Sequence, residues 1–307
     1  MRTTINVGSR ASKLALWQTR YIVEKLKVVA PEFEYNILTF NTKGDQILNK
    51  SLSKIGDKGL FTEALEEAMR KHEIDFAVHS LKDIPTTLPE GLCLSGYGER
   101  HDPSDAFLSK KANVIEELPY AAVVGTSSLR RSAQIRRKRP DIITRDLRGN
   151  IQTRLEKYHQ GDYDAIILAT AGLERLNLMN EITTRLSPLE FLPAVGQGII
   201  AIESRIDDIF INDLMEKITD VNSKKAALCE RAFLRHLNGG CQSPIGAYAT
   251  VDHQSILLRA FISSLDGKDF IEVEESSSIG DAELLGENLA KKLLNLGAQK
   301  FLQKYGV

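Results

Sequence analysis

The amino-acid sequence predicts two α/β domains followed by a smaller α+β domain. Short apolar runs alternate with helical apolar stripes up to Tyr97, and this alternation restarts after a polar, proline-containing junction at 99–104. A second junction, rich in proline and glycine, spans 188–198 and precedes one further strand. At 307 residues the chain is too long for one ordinary domain. We therefore expect domain 1 at 1–99 and 199–218, an inserted domain 2 at 100–198, and domain 3 at 219–307.

Composition excludes several classes of protein. The net charge is −1, and the three cysteines include no CxxC pair, which argues for a reducing compartment and against a disulfide scaffold. No segment approaches the ~20 consecutive apolar residues of a membrane span. The first eight residues lack the long apolar core of a secretory signal. We expect a cytoplasmic protein that does not contact membranes.

In domain 1, short apolar runs predict strands and a 3.6-residue spacing predicts helices. Leu14, Trp17 and Tyr21 begin one such helical stripe. The polar stretch at 41–59 is long for a connection, so we expect it to be mobile or functional. The expected elements are strands at 5–8, 34–40 and 92–97 and one from Phe76, and helices at 14–29 and 61–71.

The same rules assign the elements of domains 2 and 3. Asn222 is the expected N-cap of a helix that ends near Gly239, and Asp266-Gly267 is a hairpin turn between two strands. Domain 2 has expected strands at 121–124, 142–144 and 165–169, with helices from 129, at 151–160 and at 172–176. The chain then returns to domain 1 through a strand at 199–203. Domain 3 has expected helices at 222–237 and 282–302 and antiparallel strands at 247–251, 256–262 and 270–274.

The stretch from Phe76 to Pro85 changes from apolar to polar within a few residues. Ligands of α/β sheets bind beyond the carboxyl ends of strands, so Ser80, Lys82 and Asp83 are candidate site residues. The alternative is that Lys82 and Asp83 only pair with each other. His79 points to the opposite face from Ser80 and is expected in the core. A Ser–Lys dyad keeps a hydrolase interpretation open.

The middle of the chain carries a local excess of positive charge. From Tyr120 to Arg154 there are eight arginines and one lysine, opposed only by Asp141 and Asp146. Such an excess predicts an anionic partner, either a nucleic acid or a polycarboxylate.

Arg130 and Arg131 follow the segment Gly125-Thr126-Ser127-Ser128, where a strand end turns into a helix. Backbone N–H groups at a helix start bind anions, and hydroxyl groups cap the helix. Because a cation in the first turn opposes the helix dipole, capping does not explain the arginine pair. Arg148 and Arg154 follow the next strand and are expected to face the same crevice. A solvated face is expected for the cations late in the helix, Arg136, Arg137, Lys138 and Arg139.

The three cysteines have different expected roles. Cys93 lies in a strand and Cys229 in a helix, so both are expected to be inert buried thiols. Cys241 lies in a glycine-rich loop, where a thiol can be exposed and reactive, although a structural thiol stays possible there. No second cysteine or histidine stands at ligand spacing, so we expect no metal site.

Five motifs in order resemble the porphobilinogen deaminase (hydroxymethylbilane synthase) family, and the resemblance runs from Gly8 to the closing helix. The motifs are Val78-His79-Ser80-Leu81-Lys82-Asp83-Ile84-Pro85, Gly125-Thr126-Ser127-Ser128-Leu129-Arg130-Arg131, Leu147-Arg148-Gly149-Asn150, Leu192-Pro193-Ala194-Val195-Gly196-Gln197-Gly198 and Gly239-Gly240-Cys241-Gln242.

The resemblance implies a fold and a reaction. The first two domains would be similar to type II periplasmic binding proteins, with the active site in the cleft between them. The enzyme would join four porphobilinogen molecules head to tail, release ammonia at each step, and hydrolyse the product to hydroxymethylbilane. It would act as a monomer on a small-molecule substrate.

The resemblance also implies site residues. Asp83 matches the catalytic aspartate, and Cys241 matches the cysteine that carries a dipyrromethane cofactor through a thioether. The lid of the family matches 41–59, with Lys54 and Lys58, and Asp57 stands where the family is often richer in glycine. Cofactor and substrate binding would involve Arg10, Ser12, Ser80, Lys82, Thr126, Ser127, Ser128, Arg130, Arg131, Arg148, Gly149, Arg154, Arg175 and Gln197.

The residues agree with this chemistry. Each pyrrole carries two carboxylates, so a growing chain is a polyanion that suits a cleft lined by arginines. An ionised aspartate can balance the azafulvene cation left by the loss of ammonia. Two other classes stay open. A non-catalytic two-lobed ligand-binding module would show no turnover, and a nucleic-acid binder would show a steep salt dependence.

Overall fold

A computed structural model describes residues 2–42, 61–240 and 243–304, with side chains to residue 302. Within these residues the chain forms two five-stranded sheets and one three-stranded sheet, each packed with helices. The predicted fold class, two α/β units and a small α+β unit, is therefore confirmed. Among the described residues, no helix is long and apolar enough to span a membrane.

The chain crosses between the two larger sheets twice. Before the first crossing it forms β1 (Thr4–Arg10), α1 (Lys13–Val29), β2 (Glu34–Phe40), α2 (Glu63–Arg70), β3 (Phe76–Ser80) and β4 (Leu92–Tyr97). Between the crossings it forms β5 (Asp105–Ser109), β6 (Val123–Gly125), α3 (Leu129–Lys138), β7 (Ile143–Arg145), α4 (Ile151–His159), β8 (Ala165–Ala169), α5 (Thr170–Arg175) and β9 (Thr184–Leu186). After the second crossing come β10 (Ile200–Arg205) and α6 (Ile209–Glu216). Single 3₁₀ turns occupy Leu81–Asp83, Ile115–Glu117 and Met179–Glu181.

The two larger sheets have the same strand arrangement. Their orders are β2-β1-β3-β10-β4 and β7-β6-β8-β5-β9. In each sheet the first three strands are parallel and the fourth is antiparallel. Each antiparallel strand, β10 or β5, is the segment that follows a crossing, so each sheet is completed by chain arriving from the other.

The polar residues of the site follow the buried part of β3, at the carboxyl end of that strand. Phe76, Ala77 and Val78 are buried, as expected for a strand covered on both faces. The burial ends at Ser80, and the following turn carries the half-buried Lys82 and the exposed Asp83. This polar end faces the corresponding end of β6 and β8.

The C-terminal part is an antiparallel sheet covered by two long helices. Its strands pair in the order β11-β12-β13. Phe233 and Leu289 are fully buried between the helices and the sheet. The elements are α7 (Val221–His236), β11 (Ile245–Asp252), β12 (Ser255–Ser263), β13 (Phe270–Ser278), a 3₁₀ turn at Ile279–Asp281, α8 (Ala282–Leu293) and α9 (Gln299–Lys304), with the last two separated by Leu294–Ala298.

Several sequence predictions were wrong in detail. The closing helix does not run unbroken, because Gly297 adopts a φ of 96° between α8 and α9. The N-cap of α7 is Asp220 rather than Asn222, since the Asp220 carboxylate accepts a bond from the Ser223 N–H. Strands β5 and β9 and helix α6 were not predicted, because their apolar runs are short or follow a polar residue.

One buried carboxylate joins α7 to both crossing segments. Glu230 is fully buried, and its Oε1 lies 2.6 Å from Arg100 Nη1 in the first crossing. Its Oε2 accepts a 2.6 Å bond from the Gly196 N–H in the second crossing, and Oε1 also accepts one from Ala249. Glu230 therefore fixes the C-terminal part against the segments that connect the two larger sheets.

We expect Glu230→Gln to lower the free energy of unfolding by about 3–5 kcal/mol, because it leaves the half-buried Arg100 guanidinium without its counter-charge and disturbs the fully buried hydrogen bonds of Glu230. Urea unfolding of the full chain measures this loss. Glu216→Gln is the matched control, since its partner Lys224 forms an exposed pair at 2.8 Å, typically worth about 0–1 kcal/mol. Equal losses from the two variants would contradict the assigned role of Glu230.

Candidate functional site

A cavity of about 610 Å³ opens where the strand ends of the two larger sheets face each other. Every predicted site residue that the structure describes lines this cavity. These residues are Arg10, Ser12, Ser80, Lys82, Asp83, Thr126, Ser127, Ser128, Arg130, Arg131, Arg148, Gly149, Arg154, Arg175 and Gln197.

Three predicted site residues, Cys241, Lys54 and Lys58, lie outside the described residues. Gly240 and Ser243, which flank the Cys241 loop, both line the cavity. The Ser243 hydroxyl is buried without a hydrogen-bond partner among the described residues. The described residues on either side of Cys241 and Gln242 therefore lie at the cavity wall.

The end of β3 supplies a cation and a carboxylate to the cavity. Ser80 Oγ accepts a 2.8 Å bond from Gln18 Nε2, which fixes the strand end against α1. Lys82 Nζ donates to Gln197 Oε1 at 3.4 Å. Burial lowers the pKa of Lys82 to about 8, with the neighbouring Asp83 charge acting in the opposite direction. The Asp83 side chain is exposed to the cavity.

Two strand-end loops of the second sheet are tied together by Ser127. Its hydroxyl donates to the Leu147 carbonyl at 3.2 Å and accepts from the Leu147 N–H at 3.0 Å. Ser128 caps α3, with its Oγ 3.4 Å from the Arg131 N–H. The capping predicted from the sequence is thus present, and the loops after β6 and β7 form one continuous wall.

Arg130 and Arg131 share a buried partner that the sequence analysis missed. Arg130 Nη2 lies 2.8 Å from Asp105 Oδ2, and Arg131 Nη2 lies 2.6 Å from Asp105 Oδ1. Burial by itself raises the pKa of Asp105, but the two guanidinium groups outweigh it and hold that pKa well below its usual range. Asp105 is therefore a carboxylate at physiological pH.

The loop after β7 depends on a glycine. Gly149 has a φ of 113°, and a Cβ there would lie 2.8 Å from Thr153 Cβ, so a side chain is disfavoured twice over. Arg154 Nε donates to the Gly149 carbonyl at 2.8 Å. Burial, together with the Arg131 charge, lowers the pKa of Arg154 to about 10, and the Asp83 charge opposes this shift.

Arg175 and Arg10 complete the wall from the two sides of the cleft. Arg175 is buried, donates to the Gly198 carbonyl at 2.7 Å and has its pKa lowered to about 10 by burial. Arg10 lies over the ring of Phe61, with 4.5 Å between Cζ and the ring centroid. Both arginines line the cavity at the ends of structured elements rather than on free loops.

The cavity is strongly positive. Among its described lining residues there are seven cations and one carboxylate, Asp83. The Nε atoms of Arg130 and Arg175 are buried without hydrogen-bond partners among the described residues. A ligand with several carboxylates would supply both the missing negative charge and the missing acceptors.

Comparison with known proteins decides the family. A family model for the porphobilinogen deaminase dipyrromethane cofactor binding domain matches residues 5–213, and one for the porphobilinogen deaminase C-terminal domain matches 224–295. The chain belongs to the porphobilinogen deaminase family. A porphobilinogen deaminase of Carboxydothermus hydrogenoformans is 50% identical over 99% of this chain and 98% of the relative. One of Francisella tularensis is 51% identical over 97% of this chain and 99% of the relative.

Among solved structures, the matches include periplasmic binding proteins. An ABC transporter periplasmic substrate-binding protein of Coxiella burnetii has a TM-score of 0.44 and 12% identity, over 70% of this chain and 91% of that one.

Membership of the porphobilinogen deaminase family makes the chain an enzyme, a transferase of tetrapyrrole biosynthesis that acts on a small-molecule substrate. A non-catalytic ligand-binding module is not favoured. The cavity fits a dipyrromethane, whose two pyrroles carry four carboxylates, because about 610 Å³ of space is lined by seven cations and one carboxylate among the described residues. Among the residues described, no group of three or more His, Cys, Asp or Glu could hold a metal ion.

The predicted solvated face of α3 was wrong for two of its four cations. Arg136 is half-buried and donates to the Leu265 carbonyl and to Thr144 Oγ1, so it packs against the C-terminal part. Arg139 is half-buried in a two-bond contact with Asp141. Arg137 is exposed but stacks on the Phe270 ring, with 3.8 Å between Cζ and the ring centroid. Lys138 is near the surface and pairs with Glu116. Because partners within the chain engage these cations, they do not form an open basic stripe for a nucleic acid.

Two further residues belong to the site. Gln18 holds Ser80, and Asp105 holds the arginine pair. The sequence contained one signal for Asp105. The positive excess at 120–154 needed a nearby carboxylate, and Asp105 begins an apolar run directly after the first junction.

Proposed function

We propose that Asp83 is the catalytic carboxylate of this member of the porphobilinogen deaminase family and that the surrounding cations hold the carboxylates of the growing polypyrrole. One observation carries the proposal. Asp83 is the single carboxylate among the described lining residues, and it is exposed in a cavity that also presents seven cations. The reaction is the head-to-tail condensation of four porphobilinogen molecules, with ammonia lost at each step and hydroxymethylbilane as the hydrolysed product.

The cations bind and orient the substrate. The guanidinium groups suit carboxylates because they offer two parallel N–H donors in a fixed plane. Polar groups beside them add hydrogen bonds to the same ligand. We assign binding of cofactor and substrate to Arg10, Ser12, Ser80, Lys82, Thr126, Ser127, Ser128, Arg130, Arg131, Arg148, Gly149, Arg154, Arg175 and Gln197.

Asp83 stabilises a developing positive charge and accepts a proton. When the aminomethyl C–N bond of porphobilinogen breaks, the electron pair leaves with nitrogen and a positive charge develops on the pyrrole. An ionised Asp83 balances that charge and accepts a hydrogen bond from the pyrrole N–H. It can then take up the proton released from the carbon that forms the new bond. When bound, dipyrromethane supplies the primer pyrrole to which the first substrate is joined.

We assign the thioether that holds dipyrromethane to Cys241. The other two cysteines are unsuited to the role, because burial raises the pKa of both Cys93 and Cys229 and so disfavours the thiolate. Cys229 is fully buried in α7. Support for Cys241 comes from its loop, whose flanking residues Gly240 and Ser243 line the cavity.

The remaining assignments extend the proposal to the whole chain. Lys54 and Lys58 would act from a lid at 41–59. The domains would be 1–99 with 199–218, 100–198, and 219–307, which is supported by the division of the strands among three sheets. We also propose a monomer in the cytoplasm. The three cysteines without a CxxC pair are compatible with a reducing compartment such as the cytoplasm.

Asp83→Asn should lower the rate of ammonia release by about 10²–10⁴-fold, because a neutral amide cannot balance the pyrrole cation. Cofactor loading and thermal unfolding should stay unchanged. Asp207→Asn is the control, since Asp207 is an exposed carboxylate that does not line the cavity. Near-normal ammonia release by Asp83→Asn would assign the catalytic role to another residue.

The intact mass of the full chain should exceed the mass of 307 residues by two linked pyrrole units. Cys241→Ala should remove that excess, whereas Cys93→Ala should keep it, because the Cys93 thiol is not the nucleophile. Mass spectrometry of protein produced with porphobilinogen available makes the measurement. Retention of the excess in Cys241→Ala would refute the assigned linkage.

A further inference from the structure

Asp105, the first residue of β5, lies behind the arginine pair. Its side chain is fully buried and does not line the cavity, whereas Arg130 and Arg131 both do. Oδ2 accepts from Arg130 Nη2 at 2.8 Å, and Oδ1 accepts from Arg131 Nη2 at 2.6 Å and Nε at 3.1 Å. Oδ1 also accepts from Gln197 Nε2 at 2.9 Å.

We propose that Asp105 is a positioning residue for the condensation reaction, which fixes the arginine pair at the cavity wall and leaves it with one net positive charge. The inference rests on the proposed carboxylate-binding role of Arg130 and Arg131. It adds a residue that does not itself touch the substrate.

Each guanidinium is held at two points. Besides Asp105, Arg130 Nη1 donates to the Leu192 carbonyl at 2.6 Å, and Arg131 Nη1 donates to the Ile167 carbonyl at 2.9 Å. A planar group with two fixed edges keeps one orientation, so its remaining N–H groups meet a ligand without reordering. Two positive charges and one negative charge leave one net charge for the ligand.

Asp105 also aligns the two sides of the cleft. Gln197 Nε2 donates to Asp105 Oδ1 and to the Pro103 carbonyl, while Gln197 Oε1 accepts from Lys82 Nζ at 3.4 Å. The carboxylate fixes which way the amide faces, because only the NH₂ end can donate to it. The arginine pair of the second sheet and Lys82 of the first are thereby held in one hydrogen-bonded chain.

The finished product has to leave the cavity, so the carboxylates that the arginine pair binds must also be released. A pair with two uncompensated charges would hold them longer. Asp105 therefore determines how tightly the arginine pair binds carboxylates as well as how the two guanidinium groups are oriented. Without its charge, enzyme that carries partly extended chains should accumulate.

A double-mutant cycle on the loaded full-length enzyme tests the inference. We expect Asp105→Asn and Arg131→Gln each to lower kcat/KM by roughly 100-fold. Because Asp105 acts in part through Arg131, the loss in the double variant should be clearly smaller than the product of the two single losses. Effects that multiply would overturn the role of Asp105. An Arg131→Gln variant of normal activity would instead overturn the proposed function of the arginines, and the inference with it.

Two further measurements separate positioning from simple stability. Intact mass spectrometry after limited porphobilinogen should show extended chains persisting in Asp105→Asn, on the order of tenfold longer than in the parent enzyme. Asp141→Asn is the control, because Asp141 makes a two-bond contact with Arg139 outside the cavity. Its extended chains should turn over normally, and equal persistence in both variants would overturn the inference.

If Asp105→Asn fails to fold, Asp105→Glu provides a second test of the positioning role. The charge is preserved, but the carboxylate is displaced by one methylene. We expect near-normal thermal unfolding, incomplete cofactor loading by mass, and a lowered kcat/KM. Normal loading with a normal kcat/KM would show that the placement of the carboxylate is not needed.

Discussion

The cavity depends on how a buried carboxylate offsets two cations at a helix start. Arg130 and Arg131 lie in the first turn of α3, where the helix dipole and burial both disfavour positive charge. Asp105 supplies the opposing charge, with N–O distances of 2.6–3.1 Å. Because this carboxylate stands behind the arginines and offsets part of their charge, both of them can be buried and still line the cavity.

A second buried carboxylate fixes the frame around that pair. Glu230 binds Arg100 of the first crossing and the Gly196 N–H of the second, so α7 holds both connections between the larger sheets. Gln197 follows Gly196 directly and reaches Asp105. Even with Asp105 counted beside Asp83, the seven lining cations exceed the carboxylates by five among the described residues. The carboxylates of a bound polypyrrole can balance that excess.

Local patterns in the sequence predicted most elements, Asp83 as a strand-end site residue, and the convergence of Arg130 and Arg148 on one crevice, and all three residues line the cavity. Other residues of the cavity wall, such as Arg10 and Arg175, were expected from the family resemblance alone. The strands at 34–40 and 92–97 have the predicted bounds, since their apolar runs are bordered by clear turns. Features that depend on distant partners were missed. Asp105 meets Gln197 across 92 residues, and Arg136 meets Leu265 across 129, so neither contact leaves a local pattern. The strand β5 is short and is defined by its neighbours β8 and β9 rather than by its own composition.

The structure of the loaded full chain tests most directly whether the cavity is a cradle for a polycarboxylate. We predict that carboxylate oxygens of the bound polypyrrole lie within hydrogen-bond distance of the cavity arginines. Asp83 should lie beside a pyrrole N–H, and Asp105 should still be bound to Arg130 and Arg131. A bound polypyrrole whose carboxylates face solvent, while the arginines keep only their contacts within the protein, would contradict the assigned role of the cavity.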